Sequence, residues 1–191
     1  PIVAFSGMLR AALVLDHVYE LSLDAGFAYG VLSDVGTGAL LRDISGDHGA
    51  AASPRISLRG VAGERRWRLR FGGGATIPAI PPSDAARQTA LLGSLIRGLS
   101  ELWLWSADRA SIVVDGELVL VPIDLLYLEA RAALGVLLTA NENAFVPGQP
   151  DHAADVAIEL SAAIGVRTDD VLVGARFRQT ILPTFTGDIA Q

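Results

Sequence analysis

Apolar and polar residues alternate with a period of two along most of this chain, the mark of strands with one buried face. Between Leu15 and Ala25, the residues Leu15, Tyr19, Leu21, Leu23 and Ala25 share one face. Asp16, Glu20, Ser22 and Asp24 share the other, with His17 and Val18 out of phase. A Gly-rich stretch follows, and Tyr29-Gly30-Val31-Leu32 within it extends the strand pattern. The polar, Gly/Ala/Ser-rich segment 43–54 reads as an exposed loop.

Arg55-Ile56-Ser57-Leu58-Arg59 and Arg66-Trp67-Arg68-Leu69-Arg70-Phe71 flank a turn and predict a β-hairpin. Ile56, Leu58, Trp67, Leu69 and Phe71 are expected to point inward, and Arg55, Arg59, Arg66, Arg68 and Arg70 outward. Gly72 to Pro82 reads as an extended, flexible connection ending at Pro81-Pro82. An amphipathic helix is expected next, over about residues 84–104, capped by Ser83 or Asp84. Its apolar stripe is Leu91, Leu92, Leu95, Ile96, Leu99, Leu102 and Trp103.

Beyond Asp108 the strand pattern returns. Ser111–Val114 and Glu117–Val121 flank Asp115-Gly116, a dipeptide that suits a tight hairpin turn. Leu125 to Leu138 fits either a strand or a helix. Segment 141–150 reads as a second exposed loop. Val156 to Ile164 and Val171 to Phe177 alternate again and predict consecutive antiparallel strands. The expected fold is mainly β: a single β-rich domain over residues 1–191, an antiparallel β-sandwich or barrel with one packed amphipathic helix.

Composition sharpens this picture. Hydrophobic residues make up 51% of the 191 residues and mean hydropathy is +0.41. That much apolar surface has to be buried inside the domain or against other molecules. No stretch reaches the roughly 18 to 20 apolar residues of a transmembrane helix, so no membrane span is expected. The net charge of −6 disfavours sequence-specific or general nucleic-acid binding. With no Cys, disulfide and thiolate chemistry are excluded.

All 15 basic residues are Arg, which matches a GC-rich coding sequence and also suits bidentate pairing at interfaces. Six Arg and one Glu fall between Arg55 and Arg70, so that segment carries +5 and the remainder −11. Such a patch is either a solvated face, a contact with a neighbour's carboxylates, or an anion site. Arg55, Arg59, Arg66, Arg68 and Arg70 are therefore the subunit-interface candidates.

Catalytic, cofactor and metal groups are not indicated. His17, His48 and His152 each follow an Asp, but adjacent strand residues point to opposite faces and do not chelate together. Pro1 most simply reflects loss of an initiator Met, and no basic segment precedes the apolar start as a signal peptide requires. The start Pro1-Ile2-Val3 resembles the tautomerase superfamily, whose N-terminal Pro amine is a general base. No Gly-x-Ser-x-Gly or phosphate-binding Gly/Lys motif is present.

The order of elements, with Arg66-Trp67-Arg68-Leu69 in a strand pair, a Pro-rich connection, a helix over 85–102 and a return at Trp103-Leu104-Trp105, resembles tail-tube and distal-tail proteins of tailed bacteriophages. That resemblance implies a non-enzymatic structural subunit of a homo-oligomer in a virion of phage-tail or capsid type. Its partners would be copies of itself and other structural proteins, and it would assemble in the host cytoplasm. A cytoplasmic small-molecule-binding β-barrel and a Pro1-dependent tautomerase-like enzyme are the alternatives.

Overall fold

A computed structural model describes residues 2–32, 46–79, 86, 89–90, 92–94, 101–106, 109–139, 154–168 and 172–183. The strands are β1 (Ile2–Leu15), β2 (Tyr19–Leu32), β3 (Gly46–Ala51), β4 (Arg55–Glu64) and β5 (Trp67–Thr76). They continue as β6 (Arg109–Leu120), β7 (Leu126–Thr139), β8 (Ala154–Arg167) and β9 (Leu172–Ile181). A single helical turn, α1 (Leu102–Trp105), precedes β6. The fold is mainly β, as the alternation predicts.

All nine strands belong to one antiparallel sheet, ordered β1-β2-β4-β5-β6-β7-β8-β9, with β3 paired to β2 beside β4. The sheet curves into a half-barrel; no second sheet packs on it, so a sandwich is not what the described residues form. Connections alternate in length. Residues 16–18, 65–66 and 121–125 make short turns at one end of the sheet, the end at which β8 also passes to β9. The long connections 33–45, 77–108 and 140–153 all leave from the other end. Segment 141–150 lies outside the described residues.

Three local expectations change and one open choice is settled. Residues 46–51 form β3 rather than part of a loop, because a short strand of Gly, Asp, His and Ala carries no alternation to announce it. Gly72-Gly73-Gly74 lies within β5, not in a flexible linker. Asp115-Gly116 lies inside β6 rather than at a turn, since Asp115 is held there by ion pairs with β4. Leu126–Thr139 resolves as a strand.

The helix expectation meets a break. Glu101 has φ 55 and ψ 42, a left-handed conformation that isolates α1 from any preceding helical turn. Ala86, Thr89, Ala90, Leu92, Gly93 and Ser94 are helical and buried. Leu91, Leu95, Ile96 and Leu99 of the expected stripe lie outside the described residues.

The inserted segment supplies the core. Trp103, Leu104 and Trp105 pack with Ala28, Ala52, Val113 and Ala133, and Met8 closes the cluster. Small wall residues make room for the indoles. A Cβ on Gly135 would sit 2.9 Å from the Trp103 ring, and one on Gly93 would sit 2.8 Å from the Trp105 ring. Ser53 N–H donates to the Leu104 carbonyl at 2.7 Å, tying α1 to the chain after β3.

Candidate functional site: two opposed faces of one sheet

Strand side chains alternate between two faces, and here the faces are chemically opposite. One carries α1 and is called the inner face. On it lie Arg10 of β1, Glu20 and Asp24 of β2, Arg55 and Arg59 of β4, and Arg70 of β5. Across the same face follow Asp115 and Glu117 of β6, Arg131 of β7, Glu159 of β8 and Arg178 of β9. Most of these groups are buried or nearly so.

They are joined by ion pairs rather than isolated. The Arg59 guanidinium donates to both Asp115 carboxylate oxygens, Nε at 3.1 Å and Nη2 at 2.7 Å to Oδ2, and Nε at 3.2 Å to Oδ1. Arg55 Nη2 donates to Asp115 Oδ1 at 3.1 Å. Glu20 lies 3.5 Å from both Arg59 and Arg70. Arg10 Nη2 donates to Asp24 Oδ2 at 3.2 Å, and Arg109 pairs with Asp155. The inserted segment joins this network: the Glu101 N–H donates to Glu159 Oε2 at 2.7 Å, and its carboxylate lies 3.7 Å from Arg131. Buried ion pairs of this kind are costly to break one-sidedly, because the partner remains charged and desolvated.

The opposite, outer face is apolar and open. Leu21, Leu23 and Phe27 of β2, Ile56 and Leu58 of β4, and Leu69 and Phe71 of β5 are all exposed. So are Ile112, Val114 and Leu118 of β6, Leu134 and Leu138 of β7, Leu160 and Ile164 of β8, and Phe177 of β9. At the outward register positions of β1, β2, β4, β5, β6, β7, β8 and β9 the only acidic or basic residue is Glu64, which ends β4, and β3 places Asp47 opposite the outward position of Val31. Aromatic rings sit toward both ends of this face. Tyr19 and Trp67 open their strands beside short turns, and Phe5 packs on Phe27 and Tyr29 near the other end. Grooves of about 560 and 470 Å³ run between the larger side chains over Ala130 and Ala162.

The Arg hairpin is therefore real but turned around. Arg55 and Arg59 are buried on the inner face, and Ile56, Leu58, Trp67, Leu69 and Phe71 point outward. Arg68 and Arg70 meet Glu117 of their own chain, at 4.0 and 3.2 Å. Arg66 is exposed in the turn before β5. Alternation identifies the two faces, but the buried face is the charged one, opposite to the expectation. Glu20, Asp24 and Asp115 fall in phase with the Arg positions, and that shared phase is the sequence signal for their pairing.

Among the described residues no group of three or more His, Asp and Glu could hold a metal ion. Pro1, the candidate general base, and His152 lie outside the described residues, and His17 sits in the turn between β1 and β2. Among the described residues, no helix is long and apolar enough to cross a membrane, a criterion that does not bear on strands. No family model, no curated protein and no solved structure matches the chain.

Proposed function

We propose that this chain forms wall of a membrane-spanning β-barrel, with its outer face in lipid and its inner face lining a lumen that the segment before β6 partly fills. One observation carries the reading: across eight neighbouring strands the exposed face is apolar and carries no acidic or basic residue before the strand end, while the ion-pair network lies on the other face. Water drives the reverse arrangement, and lipid drives this one.

Dimensions support it. The outward apolar run of β7, Leu126 to Leu138, rises about 40 Å along the strand, or roughly 28 Å in height at a tilt near 45°. Rings flanking the apolar band and short turns on one side with long connections on the other are features of such barrels. The reading assigns a structural or conducting role, without a catalytic site.

Tryptophan fluorescence tests it. The three Trp residues divide between the faces: Trp67 points outward, and Trp103 and Trp105 are buried. After reconstitution into vesicles, brominated acyl chains should quench a fraction of the emission that Trp67→Phe removes. Unquenched emission from folded protein would sink the membrane reading.

One observation favours a second reading. Among the described residues β1 and β9 each pair on one side only, so their outer edges are open to further strands. Copies adding to these edges, with the apolar face covered by protein, would give the virion-type homo-oligomer of the sequence expectation. Water-soluble rings or tubes in negative stain, with no bromolipid quenching, would decide for it.

A further inference from the structure

The arrangement of charge on the inner face is layered, and the layer that meets water is made of guanidinium groups. Two adjacent rungs nearest the short-turn end show this. The first runs Arg68, Val119, Glu129, Ala163, Arg176 across β5 to β9. The second runs Arg70, Glu117, Arg131, Ser161, Arg178. Together they hold five Arg against two Glu.

Within each pair that reaches solvent, the cation is outermost. The Arg176 side chain is 48% exposed and that of its partner Glu129 10%. For Arg178 and Glu159 the values are 27% and 2%. Arg68 is exposed at 48% over Glu117 at 25%. The carboxylates sit beneath, at the sheet surface, and the guanidinium groups reach over them. A water-filled path along this wall therefore meets cationic donors first. Low-dielectric walls strengthen that field, and Arg rings select anions.

We infer that the short-turn end of this inner face is an anion-selective surface, suited to small solutes carrying carboxylate or phosphate. The inference rests on the membrane reading, since it needs the inner face to line an aqueous path.

Full-length protein in planar bilayers, with a potassium chloride gradient across the membrane, gives the test. The wild type should show a reversal potential of the sign set by chloride permeation. The double variant Arg68→Gln, Arg176→Gln should shift that potential toward zero while circular dichroism stays unchanged. Both side chains are about half exposed, so their removal leaves the buried network in place. A cation preference, a potential unmoved in the double variant, or inserted protein that passes no ions would each overturn the inference. Those results leave the membrane reading standing if bromolipid quenching is seen. Absent quenching removes the membrane reading itself.

Discussion

Arg59 and Asp115 pair at 2.7 Å across a strand to which neither belongs. Arg59 lies in β4 and Asp115 in β6, and the residue between them on β5, opposite both, is Gly72. With no side chain on Gly72, the guanidinium spans the gap directly, and Arg55 reaches the same carboxylate from two inward positions away on β4, beyond Ser57. A carboxylate shared by two buried Arg holds three strands in one register.

Removing Asp115 should thus be among the most damaging single changes on the inner face. Asp115→Ala leaves Arg55 and Arg59 buried near each other without their common counter-ion. The expected loss is about 3–5 kcal/mol, the usual cost of stranding a buried charge. Urea unfolding of the protein in detergent micelles would measure it; a midpoint shift no larger than that of an exposed control such as Arg66→Ala would contradict the assignment.

Gly72 should tolerate no side chain. A Cβ there would lie 2.1 Å from the Leu58 carbonyl oxygen and 2.6 Å from Arg59 Cα, both backbone atoms that cannot step aside. Gly72→Ala is expected to force β4 and β5 apart and lower stability. Gly116→Ala, whose Cβ would first meet Phe71 at an ordinary 3.5 Å, serves as the control and should be much milder. Thermal melts of the two variants side by side would show the difference.

The outer face should reject charge in proportion to depth. Leu134 lies near the middle of β7 and is about half exposed. In a bilayer, Leu134→Arg should cost roughly 2–4 kcal/mol, with a smaller penalty for the same change near a strand end. Reversible unfolding from vesicles would read this gradient. In water a surface Leu→Arg change would be nearly neutral or improve solubility, so the sign separates lipid from solvent.

Trp105 should anchor the inserted segment to the wall. It is buried among Ala28, Ala52 and the close-approaching Gly26 and Gly93. Trp105→Ala is expected to cost about 3–5 kcal/mol through the cavity it leaves. Proteolysis in the 77–108 connection should accelerate while the strands stay protected; equal protection in both proteins would show that α1 is held by other contacts.

Strand content was legible in the sequence because period two persists whichever face is wet. Leu21, Leu23, Glu20 and Asp24 read the same in either solvent. The solvent itself is not legible from hydropathy windows, since charged and small residues of the inner face interrupt every apolar run after a few positions, as Asp115 and Gly116 follow Ile112-Val113-Val114. The informative signal was the phase of the charges: Arg10, Asp24, Arg55 and Asp115 all fall on one face, where a water-soluble sheet would place its exposed side. Gly72 and Asp115-Gly116 misled for a different reason. Turn propensity is local, and the ion pair that holds these residues in strands joins positions 56 apart in sequence.

The opposed faces also fix when this chain can fold. In water, a sheet with Phe71, Leu134 and Phe177 outward would offer a continuous sticky surface to every other copy, while its paired Arg and Asp could separate and hydrate. On the membrane reading proposed above, folding would be inseparable from arrival: the native pairings would form only as the chain enters the bilayer. On that reading, spreading hydropathy residue by residue, instead of gathering it into one long apolar run, would also keep the chain from inserting into a bilayer as a helix.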